Sequence, residues 1–322
     1  MMVSIFKPVD MLKKFTLFLF VALLPFAARL HAQLKGLNIP GDVGLQSGTQ
    51  GPAGFNILVP VYFYAADKLK DGHGDLLSND PGINMFFTGI GANWVLPQKI
   101  LGGHLGGTVL IPFTSNRVSS NIVDEKSTFS FTDMYFQPVQ LGWKLKQADI
   151  TAGYALFFPT GKFELGGENS GLGMLVNEFS GGTTLYLNKK KTTHFSTLLS
   201  YDIHSKKRGT DIRTGDILTI EGGLGRTWYK EAKGPVPVII NAGVVYYAQY
   251  KITEDNVHGE GISIGDHKDH VYGLGPEGNV FVPRIRTQFA LRWLAEFDAV
   301  NRFQGFTTML TIAYNVKSFK EK

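Results

Sequence analysis

The chain has 322 residues, 43% hydrophobic, 12% aromatic and 18% charged, with 38 glycines and no cysteine. The missing cysteines exclude a disulfide framework and thiol or zinc-thiolate chemistry. The formal charge of +5 is not a nucleic-acid footprint, because residues 1–32 carry Lys7, Lys13, Lys14 and Arg29 against Asp10 and their loss leaves +2.

The N-terminus reads as an address. Lys13 and Lys14 precede the apolar run FTLFLFVALLPFAA, and Leu30-His31-Ala32 offers a small-residue cleavage site before Gln33. This is the form of a secretory signal peptide over 1–32, too short and too early for a spanning anchor. No other stretch approaches the roughly 18 apolar residues of a transmembrane helix. A membrane-spanning reading therefore requires a closed β-barrel, the other architecture that satisfies its backbone in lipid.

Residues 33–52, QLKGLNIPGDVGLQSGTQGP, have no hydrophobic period and are rich in Gly, Gln and Pro. They read as an irregular leader, either disordered or folded into the barrel as a partial plug. The barrel itself is expected over 53–322, with strands near 53–66, 84–96, 103–113, 130–146, 150–160, 173–188, 193–204, 215–229, 237–252, 271–282, 284–298 and 305–317. Twelve is an even number, as in bacterial single-chain barrels.

Alternation carries these assignments, because successive side chains of a strand face opposite ways. In the last strand Phe306, Thr308, Leu310, Ile312, Tyr314 and Val316 share one face, and Thr307, Met309, Thr311, Ala313 and Asn315 the other. Its run of about 11 residues, tilted by about 45°, rises about 26 Å, close to the apolar band of an outer-membrane barrel. Strand 237–252 sets Val238, Ile240, Ala242, Val244, Tyr246, Ala248, Tyr250 and Ile252 against Asn241, Gly243, Gln249 and Lys251.

The connections alternate long and short. Long ones fall near 67–83, 114–129, 161–172, 205–214 and 253–270; short ones fall near 97–102, 147–149, 189–192, 230–236 and 283. That is the order of external loops and periplasmic turns in an outer-membrane barrel of a Gram-negative cell. The 299–304 connection is short for an external loop. Trp94, Trp143, Tyr186, Trp228 and Tyr229 sit beside short turns, where an aromatic girdle belongs.

Several short stretches, in this order, have a family likeness: Pro138-Val139-Gln140-Leu141-Gly142-Trp143, Tyr154 to Phe158-Pro159-Thr160-Gly161, Thr183 to Tyr186-Leu187, Gly215-Asp216, Tyr247-Ala248-Gln249-Tyr250, Leu274-Gly275-Pro276, and Glu296-Phe297 to Asn301-Arg302-Phe303-Gln304-Gly305. In their order and spacing the chain resembles the outer-membrane proteins grouped as the phenol-degradation meta-pathway family. The resemblance implies an outer-membrane barrel that transports aromatic or other hydrophobic compounds.

The candidate site is the lumen. Strand 284–298 sets Arg286, Gln288, Arg292, Glu296 and Asp298 inward, with Ile285, Phe289, Leu291, Trp293 and Phe297 outward. Glu221, Arg226, Glu277 and Gln249 are expected to join them. Such charges either select solutes at a constriction or pair to fill the barrel. Gly103, Gly107 and Thr108 suggest some internal space. The loop residues His258, Glu260, Asp266, His267, Asp269 and His270 match no metal-ligand spacing, and Lys189-Lys190-Lys191 reads as a solvated turn. His194 with Ser196 is the nearest approach to a Ser–His pair, with no nucleophile elbow to support it.

The expected function is passive uptake of small hydrophobic, aromatic molecules, without enzymatic activity or cofactor. The alternative is a closed barrel that serves structurally or displays its loops. Expected partners are outer-membrane lipid and lipopolysaccharide, the barrel-assembly machinery and the solute; no nucleic acid is expected.

Overall fold

The computed structural model describes residues 39–322, except 78–80, 122–123, 165–166, 168, 232–235, 258–261, 264–267 and 321–322. The expected signal peptide and the leader's first residues, 33–38, lie outside the described residues. The strands are β1 (Gly54–Leu69), β2 (Gly82–Ile100), β3 (Gly103–Ser119), β4 (Asp124–Phe131), β5 (Met134–Lys144), β6 (Ala148–Phe158), β7 (Val176–Tyr186), β8 (Thr193–His204), β9 (Ile212–Arg213), β10 (Ile217–Lys230), β11 (Val238–Lys251), β12 (Asn256–Val257), β13 (Ile262–Ser263), β14 (His270–Val282), β15 (Thr287–Val300) and β16 (Phe303–Ser318). A single 3-10 turn at Gly44–Gln46 precedes them and another, Pro283–Ile285, links β14 to β15.

Thirteen strands form one sheet in the order β2-β1-β16-β15-β14-β11-β10-β8-β7-β6-β5-β3-β4, and β2 also pairs with β3. That pairing closes a ring of twelve antiparallel strands, with β4 attached to the end of β3. Closure leaves the ring without an edge, which is what allows backbone polar groups to be satisfied in lipid. The expected all-β barrel of twelve strands is the observed one.

The pleat sorts the side chains as the alternation requires. On β10 and β11, Leu224 pairs with Val244 on the outer face, where both are about half exposed, and Glu221 pairs with Tyr247 on the inner face, where both are buried. Phe63, Ile90, Phe179, Leu274 and Leu291 are other large apolar side chains exposed on the outside. Exposed carbon on this scale suits a hydrocarbon surround.

Three expectations are corrected. The stretch 130–146 is not one strand: it breaks at Thr132 and Asp133 between β4 and β5. There Asp133 turns to accept Gly161 N at 2.9 Å and Leu172 N at 2.7 Å, tying down the loop after β6. The stretch 284–298 begins later, because Pro283–Ile285 forms a turn that Arg286 leaves in the left-handed conformation (φ 52°). At its far end Asp298 also has positive φ (52°), opposite a register shift in β14, and the facing of the strand resets. Finally, the connection expected near 114–129 is mostly strand, because β3 runs on to Ser119 and β4 starts at Asp124; elsewhere β9, β12 and β13 pair as a small sheet between the connections after β8 and β11.

Candidate functional site

The leader's described residues run into the barrel and along its inner wall. Gly41 N donates to Glu221 Oε2 at 2.9 Å, and Leu45 N donates to Glu277 Oε2 at 3.1 Å. Arg292 donates through one guanidinium nitrogen to the carbonyls of Gly41 (2.9 Å) and Asp42. Its Nε lies 3.2 Å from Glu277, at ion-pair distance but out of line for a hydrogen bond. Two carboxylates and a guanidinium on three strands thus serve backbone groups of a segment that has no strand partner. A buried amide or carbonyl left unpaired would be costly, so these contacts fix the leader's path.

Leu45 is the leader's apolar anchor. It is 1% exposed and clusters with Val245, Tyr247, Val271, Leu294 and Ala299. Its Cδ2 fills the space where Cβ atoms of Gly223, Gly225 and Gly243 would stand, at 2.9 to 3.1 Å. Three glycines facing the lumen on β10 and β11 therefore form a socket that any side chain would narrow. Gly44 beside it takes φ +71°, which turns the chain into the socket, and its own Cβ would strike Glu277 and Arg292.

The contacts continue towards the start of β1. Ser196 Oγ donates to Leu45 O at 2.7 Å, and Thr49 Oγ1 to Asp149 Oδ2 at 3.1 Å. Asp149 also accepts Tyr186 OH at 2.7 Å and pairs with Lys144 at 2.8 Å. Gln50 Nε2 donates to Gln140 O at 3.1 Å and lies against Gly106 and Gly142. Asp42 and Val43 are the exception: their side chains are exposed within the lumen. Enclosure by the wall pushes the Asp42 carboxyl up to about 6, against the opposing pull of Arg292.

A second network lies nearer the end of the barrel that carries the long connections. Glu296 accepts Tyr64 OH and Tyr247 OH, each at 2.8 Å, and Gly305 N at 2.7 Å. Arg302, from the two-residue turn before β16, donates to Gln249 Oε1 at 2.9 Å and pairs with Asp269 at 3.3 Å. Gln249 in turn donates to Thr219 at 3.1 Å.

Four of the eight expected lumen residues therefore sit in buried lumen networks: Arg292, Glu296, Glu221 and Gln249. Gln288 shares the inner face of β15 but is exposed at its first turn. The others are corrected. Arg286 lies in the β14–β15 turn and donates to Val316 O at 3.0 Å. Asp298 is solvent-exposed because its positive φ interrupts the alternation; His270 Nε2 is 4.0 Å away. Arg226 differs in parity from Glu221, so it faces outward, with its guanidinium 5.7 Å from the Trp228 ring. Gly103 and Gly107 open no lumen space either: added Cβ atoms there would meet the indoles of Trp143 and Trp94. The lumen-facing glycine of that strand is Gly106.

His194 is buried with Nε2 3.1 Å from Asn241 Oδ1, while the Ser196 hydroxyl is committed to the leader. Lys191 lies 4.6 Å from the Tyr186 ring and donates to Leu145 O at 2.9 Å. His258, Glu260, Asp266 and His267 lie outside the described residues; His270 packs on Tyr250 and Tyr272. Leu45 and its socket were not anticipated. Their available signal was Gly223, Gly225 and Gly243 falling on one face of adjacent strands, which has meaning only once the register is known.

Residues 66–312 match the family described as "Putative MetA-pathway of phenol degradation". No curated protein matches the chain. Among solved structures, an outer membrane channel from Pseudomonas putida F1 superposes with a TM-score of 0.68 at 15% identity, over 86% of this chain and 99% of that one. The beta domain of the Bordetella autotransporter BrkA gives 0.48 at 9% identity, over 81% and 99% of the two chains. The translocator domain of the autotransporter NalP from Neisseria meningitidis gives 0.46 at 10% identity, over 83% and 90%. The Pseudomonas channel shares the fold.

Proposed function

The chain belongs to this phenol-degradation family, and from that premise we propose that it is an outer-membrane channel for passive uptake of small hydrophobic molecules, aromatic ones foremost. The observation that carries the reading is the docked leader. A segment held by Arg292, Glu221 and Glu277, with Leu45 in a glycine socket, acts as a plug in a barrel that otherwise has room for it. The lumen wall adds aromatic surface at Tyr62, Tyr64, Tyr135 and Tyr247. The outer face supplies the apolar band of a protein resident in the outer membrane of a Gram-negative cell. Without a nucleotide site in the sequence, transport runs down the solute gradient.

The alternative of a closed, non-transporting barrel draws on a specific feature. The Arg292–Glu277 pair and the Glu296–Tyr64–Tyr247 cluster bridge several strands and fill part of the interior. Conductance in planar bilayers separates the two. A gating channel is expected to show small openings that become larger and longer when residues 33–52 are deleted. Silence from both the full and the leader-deleted barrels, with both correctly inserted, would favour the closed barrel.

A further inference from the structure

The end of the barrel that carries the short connections is rich in positive charge. At or beside the turns after β2, β5, β7, β10 and β14 stand Lys99, Lys146, Lys190, Lys230 and Arg284, all exposed. Glu231 is the one exposed acid among the described residues of these turns. Apolar side chains accompany the cations: Leu101, Leu145, Leu187 and Ile285 are each half exposed or more. A turn that only met water would have no use for such carbon, whereas one at the level of lipid headgroups would.

The charge is densest where two turns are tied together. Tyr186 N donates to Gln147 O at 2.9 Å, and Lys191 Nζ donates to Leu145 O at 2.9 Å from a position 4.6 Å from the Tyr186 ring. Lys191 is thus engaged in joining the β5–β6 and β7–β8 turns. Lys146, Lys189 and Lys190 are exposed, with no ion pair or side-chain hydrogen bond among the described residues. Arg226 of β10 extends this group onto the outer face. It is the register partner of Thr193, the residue that opens β8 directly after the second turn. Exposed apolar side chains surround it: Leu224 and Trp228 on its own strand, Phe195 and Ile240 on the neighbours. Its guanidinium meets only the Trp228 ring, 5.7 Å away. A guanidinium among lipid-facing side chains is unfavourable unless it reaches an anion at the headgroup layer, and it binds phosphate bidentately.

We propose that Lys146, Lys189, Lys190 and Arg226 form a docking site for an anionic phospholipid of the periplasmic leaflet. The cations hold the phosphate, and the acyl chains lie on Leu187, Leu224 and Trp228. A zwitterionic lipid brings an ammonium of its own, which the clustered lysines repel, so the site prefers a headgroup with net negative charge. An acidic polymer or protein in the periplasm would account for the lysines but not for Arg226, which lies on the lipid side of the wall. The site is independent of whether the barrel conducts; it requires only that the short turns lie at the periplasmic face of the bilayer.

The test is native mass spectrometry of the purified full-length barrel in detergent, offered equal amounts of dioleoylphosphatidylglycerol and dioleoylphosphatidylethanolamine. The anionic lipid is expected to be retained at least about fivefold over the zwitterionic one. The triple variant Lys146→Gln, Lys189→Gln, Lys190→Gln should bring the two lipids to within about twofold of each other, and Arg226→Gln alone should lower the preference by about half or more. A control triple, Lys68→Gln, Lys126→Gln, Lys162→Gln, removes the same charge from the other end and should leave the preference unchanged. Heat-modifiable gel migration identifies a variant that has not folded, and the other variant then decides. No preference in the natural chain, no loss in either variant of the site, or an equal loss in the control would overturn the site. Pelleting with peptidoglycan sacculi that depends on the three lysines, without a lipid preference, would likewise overturn it.

Discussion

Leu291 and Arg292 are neighbours in the chain with opposite surroundings. Leu291 is 55% exposed on the outer face, and Arg292 is 4% exposed on the inner one. Leu291→Arg places a charge on the lipid side and is expected to cost about 2–4 kcal/mol near mid-depth, impairing assembly. Arg292→Leu should still insert and still show heat-modifiable migration. It strands Glu277 and two leader carbonyls, so its loss should fall on leader docking, by about 3–5 kcal/mol as for other broken buried pairs. Hydrogen exchange at residues 41–50 reads that loss, and equal assembly defects from both substitutions would refute the facing. Leu45→Ala tests the socket. Emptying it should cost about 2–5 kcal/mol of docking and remove the protection of the Leu45 amide, while the barrel strands keep theirs. Unchanged protection there would mean that the socket holds nothing.

At the scale of elements, the leader and the strands differ in how much the sequence discloses. The β11 strand was legible in full, because Asn241, Gly243, Gln249 and Lys251 alternate with apolar partners and nothing interrupts the pleat. The ends of β15 were not. Arg286 and Asp298 each adopt positive φ, which a period-two pattern cannot reveal, and each resets which way its neighbours face. Arg226 was misplaced for a simpler reason, since its parity relative to Glu221 already set it outside. The break at Asp133 depends on amides 28 and 39 residues away. The leader's irregularity was legible; its path was not, because every contact that fixes it is made with strands distant in sequence. One consequence is testable. Asp42 has an ordinary carboxyl value of 3.8 and is raised to about 6 when docked. A raised acid opposes docking in its charged form, so the penalty is absent below about 3.8, grows through the interval and is complete above about 6. Exchange protection of residues 41–50 should therefore rise as pH falls from about 7 to about 5, and Asp42→Asn should flatten that dependence. A wild-type slope of the opposite sign would contradict the placement of Asp42.

For the whole molecule, the arrangement of connections gives the barrel a direction. The long connections after β1, β6, β8 and β11 leave one end, and the short ones after β2, β5, β7 and β14 leave the other. In the outer membrane the long set should face outward. A cysteine at Gly72 is expected to label with an impermeant reagent on whole cells, and one at Lys190 only after the outer membrane is opened. The reverse order would invert the barrel. With that direction set, solute entering from outside meets the external-loop end of the lumen first and the leader below it. The most direct test is accumulation of labelled aromatic compounds in three strains: one with the intact gene, one without it, and one producing the barrel without residues 33–52. Uptake by a leader-gated channel should be slowest without the gene and fastest without the leader. Accumulation unchanged by deletion of the gene, across several aromatic and aliphatic probes, would contradict the uptake function.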